Sequence, residues 1–123
     1  GGIGITPLRS MIRSLSLRNA SVPTTLFYSN KTIEDTVFFE EFDDLERAWK
    51  DFHPVVTLTA EVPEAWNGEQ GRVDATMVKR HVPSLNGTDF YMCGPSGFML
   101  SIQHLLEEQG IDVKKRLKRE SFG

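Results

Sequence analysis

Apolar residues recur along this chain at two different spacings. Four segments carry them three or four positions apart, which predicts amphipathic helices over residues 7–18, 36–50, 74–81 and 96–109. Three shorter runs are rich in β-branched and aromatic residues, which predicts buried strands over residues 24–28, 54–60 and 89–93. A last strand is predicted near residues 113–117, and residues 61–72 are predicted to form a loop.

The residues at the predicted helix ends support this assignment. Thr6 is expected to cap the first helix, with Pro7 at its first helical position. Asp74 is expected to cap the third helix, and Gly110 is expected to end the fourth. The aromatic residues of segment 36–50 fall at helical spacing and predict core packing. They are Phe38, Phe39, Phe42 and Trp49.

Helices and strands alternate throughout, which predicts an α/β fold. We expect a doubly wound, mostly parallel sheet of about five strands with helices on both faces. The chain opens on the glycine-rich stretch GGIGITPL, and such turns normally follow a strand. We therefore expect the first strand of the sheet to lie upstream of Gly1, in a longer protein.

Composition and charge narrow the class of protein. The length of 123 residues suits one domain, and a net charge of −3 gives no electrostatic footprint for nucleic acid. Cys93 is the single cysteine, so an internal disulfide is excluded and a reducing compartment is favoured. The apolar runs are too short for a membrane span. A cytoplasmic domain is the expectation.

Two loops carry the residue types expected of a ligand site. In the first, Gly2 and Gly4 let the backbone lie close to a phosphate, and the helix that follows points its unpaired N–H groups there. A tight strand-to-helix turn without a ligand is the alternative. The second loop runs from Cys93 to Gly97, between a strand and a helix. Cys93 is either a small core residue, a side chain packed on a ligand ring or, less readily, a nucleophile.

Four stretches, taken in order, resemble one protein family. GGIGITPL, YSNKTIED, YMCGPSGFM and the terminal ESFG are similar to the nicotinamide-nucleotide-binding half of the ferredoxin–NADP reductase superfamily, which includes cytochrome b5 reductases and oxygenase reductase components. The family pattern is G-x-G-x-x-P, then C-G-P, then Glu-x-aromatic near the end. All three occur here in that order, and the resemblance covers essentially the whole chain.

The resemblance implies a role for each matching residue. The first loop would cradle the pyrophosphate and a ribose with Gly2, Gly4, Ile5, Thr6 and Pro7. The nicotinamide ring would lie near Cys93, in a pocket shaped by Gly94, Pro95, Ser96 and Met99. The candidate catalytic residues are Cys93, Glu120 and Phe122, the last two at the flavin–nicotinamide junction. A solvated charge at Glu120 and a terminal core plug at Phe122 are the alternatives.

The stretch SNKTIED matches the family's adenosine site. Its candidate binding residues are Ser29, Asn30, Lys31 and Asp35. A carboxylate favours NADH, because it can bond a ribose hydroxyl and repels a 2′-phosphate, whereas basic residues favour NADPH. Asp35 stands at the family's acidic position and favours NADH, whereas Lys31 is basic and favours NADPH. We expect NADH rather than NADPH.

The resemblance implies the NAD(P)H-binding lobe of an FAD-dependent reductase. Hydride would pass from NAD(P)H to FAD, and single electrons would pass on to an iron–sulfur, haem or similar acceptor protein or domain. FAD would be held mainly by a β-barrel lobe expected upstream and absent from these residues. Two alternatives stay open: a nucleotide-binding module without catalysis, and a hydrolase or transferase that depends on Cys93.

Two further groups of residues suggest no site. His53, His81 and His104 are scattered without metal-ligand spacing, so no metal site is predicted. The basic run is interpreted as a solvated face that could steer an acidic partner. It comprises Lys114, Lys115, Arg116, Lys118 and Arg119.

Overall fold

Parallel strands connected by helices make up the structure, a computed structural model that describes residues 5–82 and 84–121, without the side chains of residues 119–121. The strands are β1 (Thr24–Asn30), β2 (Phe52–Leu58), β3 (Glu69–Gln70), β4 (Phe90–Gly94) and β5 (Leu117–Ser121). The helices are α1 (Ile5–Leu17), α2 (Phe39–Ala48), α3 (Ala75–His81), α4 (Ser96–Glu108) and α5 (Val113–Arg116).

The described strands form two ladders. One has the order β1-β2-β3 and the other joins β4 to β5. Every pair is parallel, with Thr24 opposite Phe52 at the start of the β1–β2 ladder and Asn30 opposite Leu58 at its end. The predicted α/β fold with a parallel sheet is therefore confirmed.

Helices cover both faces of the first ladder. Leu26 and Tyr28 point to one face, where they pack with Ile5 and Ile12 of α1 and with Phe42 of α2. Phe27, between them in the strand, faces the opposite side. There its ring meets the edge of the His81 ring of α3, with centroids 6.0 Å apart. Helix α1 also packs against β4, so it contacts both ladders.

The predicted aromatic core lies between α2 and the strands. Trp49 is 1% exposed and stacks on Phe52 with centroids 5.4 Å apart. Its indole N–H donates to the Ala20 carbonyl at 2.8 Å, so the large ring is buried with its polar atom satisfied. This hydrogen bond also ties the end of α2 to the chain that follows α1.

The starts of two helices differ from the prediction. Thr6 is not the N-cap of α1, because the helix already begins at Ile5. Pro7 is tolerated there because the N–H groups of a first turn have no intrahelical partner. Helix α2 begins at Phe39 rather than Thr36, after a turn in which the Thr36 N–H bonds the Ile33 carbonyl at 3.0 Å. Asp74 caps α3 as predicted, accepting from the Met77 N–H at 2.8 Å.

The last predicted strand lies too early in the sequence. Residues 113–116 are the helix α5, and the strand begins only at Leu117. The reason is Arg116, whose guanidinium donates to the Leu85 carbonyl at 2.5 Å and to the Thr88 carbonyl at 2.8 Å. These bonds fix the end of α5 against the loop before β4. Arg116 is therefore a structural residue of the basic run.

The loop predicted over residues 61–72 contains the short strand β3, which adds to the edge of β2. The loop is held by Trp66, whose indole N–H donates to the Glu69 carbonyl at 2.9 Å and whose ring lies 5.8 Å from the Phe39 ring. Glu69 accepts two hydrogen bonds from Arg80, at 3.1 and 2.7 Å. Its other close partner is the His81 ring at 2.7 Å.

We predict that the Glu69 carboxylate stabilises the fold only above acidic pH. Hydrogen bonds from Arg80, then from His81, hold the pKa of Glu69 below its ordinary value of 4.5. Its contribution is therefore complete above that value and is lost as the pH falls through the lower folded-state pKa. Relative to wild type, Glu69→Gln should reduce the free energy of unfolding by about 1 kcal/mol at neutral pH. In urea titrations this difference should shrink below about pH 4.

The control for this measurement is Glu64→Gln, which removes an exposed carboxyl from the same loop. It should change the free energy of unfolding little at any pH. A Glu69→Gln effect that persists undiminished in acid would show that the ionised carboxylate is not its source.

We also predict that a side chain in place of Gly68 destabilises the fold. A Cβ at this position would overlap Cζ2 of the Trp66 ring and would lie 2.9 Å from the backbone oxygen of Val56. Gly68→Ala should therefore reduce the free energy of unfolding by about 1–3 kcal/mol, because the loop must move. Gly97→Ala is the control, since a Cβ there meets no atom within 4 Å. It should stabilise α4 by up to about 1 kcal/mol in the same urea titrations, and equal effects would contradict the prediction.

Candidate functional site

Strand ends and helix starts meet at the carboxyl edge of the sheet. Because the pairs are parallel, Asn30 and Leu58 end their strands side by side, and Gly94 ends β4 immediately before α4. Helix α1 leads to the amino end of β1, so its own start also lies at the carboxyl edge. In open α/β sheets this edge is where ligands bind.

The first turns of α1 and α4 suit an anionic ligand. Neither contains an acidic residue, in contrast to α2, which has Glu40 and Glu41 in its first turn. Pro95, at the N-cap of α4, provides no side-chain hydrogen bond, and the first N–H groups of a helix have no intrahelical partner. Thr6, in the first turn of α1, is exposed. Gly2 and Gly4 lie outside the described residues.

The second predicted loop follows the buried end of β4. Cys93 is 3% exposed and its thiol forms no disulfide. Gly94 has a φ of 156°, which favours glycine, and it turns the chain into Pro95 and the exposed Ser96. Met99, one turn into α4, is 6% exposed.

The register of the second ladder places two candidate catalytic residues next to each other. Cys93 in β4 is the direct partner of Glu120 in β5. These residues are 27 positions apart, and the amino-acid sequence alone does not reveal their pairing. Phe122 lies outside the described residues.

The candidate adenosine segment leaves the carboxyl end of β1. Ser29 is half-buried and Asn30 is 7% exposed, whereas Lys31 and Asp35 are exposed. Asp35 belongs to a compact turn, in which the Thr32 hydroxyl donates to its carboxylate at 3.0 Å and accepts from its N–H at 3.2 Å. The segment thus presents two carboxylates, those of Glu34 and Asp35, and the ammonium group of Lys31 to solvent.

Backbone contacts fix the base of this segment. The Lys31 carbonyl accepts from the N–H groups of Ala60 and Glu61, both at 3.0 Å. The Tyr28 hydroxyl is buried beside the Asn30 side chain and the Val37 backbone. Burial raises the pKa of Tyr28, and these two neighbours oppose the rise. The phenol is therefore neutral near pH 7 and acts as a packed, polar support beneath Asn30.

Two histidines that are far apart in the sequence lie close together in the structure. His53 Nε2 lies 3.0 Å from His81 Nδ1, although 28 positions separate the residues. His81 also contacts Glu69, while His53 Nδ1 lies 3.5 Å from the Glu46 carboxylate. Within the described part of the chain, no group of three or more His, Cys, Asp or Glu residues is arranged to hold a metal ion.

Two grooves lie largely outside the two predicted ligand loops, and the first borders the second loop at Gly97. One, of about 510 Å³, runs between the start of α3 and the face of α4 that carries Leu100 and His104. The other, of about 410 Å³, lies beside β2 and the two histidines. Neither is lined by any of the predicted nucleotide-binding residues that the structure describes.

Among the described helices, none is long and apolar enough to cross a membrane.

Comparison with known proteins gives the same family from sequence and from structure. Residues 1–104 match the family model of the oxidoreductase NAD-binding domain. The chain is 32% identical over its whole length to the glycine betaine monooxygenase reductase subunit of Chromohalobacter salexigens, of which it covers 34%. It is 37% identical over 77% of its length to NADH-cytochrome b5 reductase 2 of Mycosarcoma maydis, of which it covers 28%. The chain thus spans about a third of the length of these curated relatives.

The fold is shared with a solved structure. The FAD/NAD-binding domain of nitric oxide dioxygenase from Vibrio cholerae superimposes with a TM-score of 0.86 at 27% identity, over 99% of this chain and 48% of that one. The match extends over the carboxyl edge described above. The chain therefore belongs to the oxidoreductase NAD-binding domain family, the nucleotide-binding half of the ferredoxin–NADP reductase superfamily.

Proposed function

We propose that this chain is the NAD(P)H-binding lobe of an FAD-dependent reductase. The observation that carries the proposal is the pair of helix starts at one sheet edge, both without acidic residues, in a chain of this family. A dinucleotide laid along this edge places its diphosphate at the start of α1 and its nicotinamide at the start of α4. A nicotinamide held there would supply hydride to a flavin, which would pass single electrons to an acceptor protein or domain.

The work of this chain is to bind and orient the nucleotide. The loop from Cys93 to Ser96 packs against the ring and excludes water from it, with Met99 behind the loop. Glu120 and Phe122 complete the junction with the flavin. The Cys93–Glu120 pairing supports this assignment, because it brings two of the three residues to one place. The chemistry of hydride transfer belongs to the cofactors, and the protein contributes the position and orientation of the nucleotide.

We also propose that a longer protein supplies the flavin lobe and a further strand upstream of Gly1. Among the described residues, β1 and β4 each have a partner strand on one side, and the two ladders are not joined to each other. A parallel strand between them would unite the ladders under α1, which packs on both. The relatives, about three times as long as this chain, leave ample length for an FAD-binding lobe.

NADH is the preferred nucleotide in this proposal. Asp35 is exposed at the end of the candidate adenosine segment, and Lys31 is the segment's only cation. A carboxylate at this position bonds a ribose hydroxyl and repels a 2′-phosphate. The Mycosarcoma relative is named as an NADH enzyme, which agrees with this preference.

We predict that the chain binds NADH at least about tenfold more tightly than NADPH, a difference of about 1.4 kcal/mol. Asp35→Ser should reduce this ratio, because it removes the charge that repels the 2′-phosphate. Glu34→Ser, which removes the adjacent exposed carboxylate, is the matched control and should leave the ratio nearly unchanged. Isothermal titration calorimetry with both nucleotides measures the ratio. A failure of wild type to bind either nucleotide would falsify the proposed function.

A second prediction concerns Cys93 in the longer protein that carries the flavin. Cys93→Ala should leave the Kd for NADH within about twofold and slow flavin reduction about tenfold, because the ring loses its packing partner. Cys93→Ser, which keeps nearly the same side-chain volume, should reduce flavin at a rate between those of wild type and Cys93→Ala. Stopped-flow absorbance of the flavin measures the rate. An unchanged rate in both variants would leave Cys93 a core residue, and no flavin reduction in wild type would favour the non-catalytic binding module.

A further inference from the structure

Arg9 links α1, whose start binds the diphosphate in the proposed function, to helix α2. Its Nε lies 2.6 Å and its Nη2 2.8 Å from the two carboxylate oxygens of Glu41. The same guanidinium lies over the ring of Phe38, with its carbon 4.1 Å from the ring centroid. The Arg9 and Glu41 side chains are 25% and 32% exposed, so the pair is partly shielded from water. One side chain of α1 therefore holds both the start of α2 and the residue before it.

Phe38 has a backbone conformation that is unusual for an aromatic residue. Its φ is 66° and its ψ is 18°, in the left-handed region that favours glycine. Such strain persists only when the surroundings fix it. Here the fixing contacts are the Arg9 guanidinium on the ring and an edge-on contact with Phe42, whose centroid lies 6.5 Å away.

A short series of turns connects Phe38 to Asp35. The Val37 N–H donates to the Asp35 carbonyl at 3.0 Å, and the Thr36 hydroxyl donates to the Thr32 carbonyl at 3.0 Å. The start of this segment is fixed in β1, and its end is fixed at Phe38. The place of the Asp35 carboxylate therefore depends on where Phe38 is held.

We propose that Arg9 is a positioning residue that holds the adenosine segment and the turn after it, residues 29–38 together, at a set distance from the diphosphate-binding start of α1. The proposal rests on the proposed function, since it assigns the two ends of one dinucleotide to these two elements. Arg9 touches no nucleotide in this arrangement. It acts through Phe38 and Glu41, and its guanidinium is already committed to that carboxylate rather than offered to a 2′-phosphate.

The test compares the two halves of the dinucleotide. Wild type, Arg9→Met and Arg9→Lys are titrated with 5′-AMP and with nicotinamide mononucleotide, and binding is followed by NMR chemical shifts. Arg9→Met should weaken 5′-AMP about five- to tenfold and change nicotinamide mononucleotide less than about twofold. Arg9→Lys should give an intermediate loss, because lysine keeps the charge without the planar, two-bond contact.

Arg47→Met is the matched control. Arg47 carries the same charge but pairs with Asp43 and Asp44 inside α2, at 2.8 and 2.5 Å. Its removal should not affect either ligand. Should Arg9→Met fold poorly, Phe38→Gly tests the same point, because glycine accepts the backbone conformation and removes the ring that Arg9 holds. It too should weaken 5′-AMP selectively.

Each outcome supports or overturns the proposal. Selective loss of 5′-AMP in the Arg9 variants supports it. Equal loss of both ligands would mean that Arg9 stabilises the fold in general, and no loss of either would mean that the segment keeps its place unaided. Both results overturn the proposal while leaving the proposed function intact. Absence of NADH and 5′-AMP binding in wild type removes the proposed function itself, and this inference with it.

Discussion

Parallel pairing is the constraint from which the rest of this structure follows. Two parallel neighbours such as β1 and β2 cannot be joined by a tight turn, so the chain returns to the starting edge through a helix. Each long crossover helix therefore begins at the carboxyl edge and ends at the amino edge. The Trp49 hydrogen bond to Ala20 joins two of these returning segments at the far edge, away from the candidate site. The parallel topology alone therefore places the strand ends and the helix starts at a single edge of the sheet.

Helix α1 is the element on which this arrangement depends most. Ile5 and Ile12 bury one side of it against Leu26 and Tyr28 of the first ladder, and it also packs against β4 of the second. The helix whose start faces the diphosphate in our proposal is thus the same helix that holds the two ladders together. Arg9 extends this role to α2. Stability and binding geometry are therefore coupled through one helix, and changes to its packing are expected to alter both.

The sequence was informative where one periodicity dominated. The spacing of apolar residues predicted four helices and three strands near their observed places, because burial on one face leaves a regular pattern. It was less informative where a single tertiary contact decided the structure. Arg116 fixes α5 and delays the last strand. The two-residue strand β3 has no pattern of its own and forms only because β2 offers an edge. The pairings of Cys93 with Glu120 and of His53 with His81 depend on register and packing, which no local spacing encodes.

Three carboxylates of this domain serve two different tasks. Glu41 and Glu69 are paired with arginines, their pKa values are lowered by those partners, and both serve the packing of helices and loop. Asp35 accepts a hydrogen bond from the Thr32 hydroxyl and keeps its charge exposed. Acidic residues are concentrated in the adenosine segment and α2, whereas the first turns of α1 and α4 have none. In our proposal a bound dinucleotide therefore meets a helix start without carboxylates at its diphosphate and the exposed Asp35 carboxylate at its adenosine ribose. A third phosphate on that ribose would lie beside the exposed Asp35 carboxylate, and for this reason Asp35 favours NADH over NADPH in our proposal.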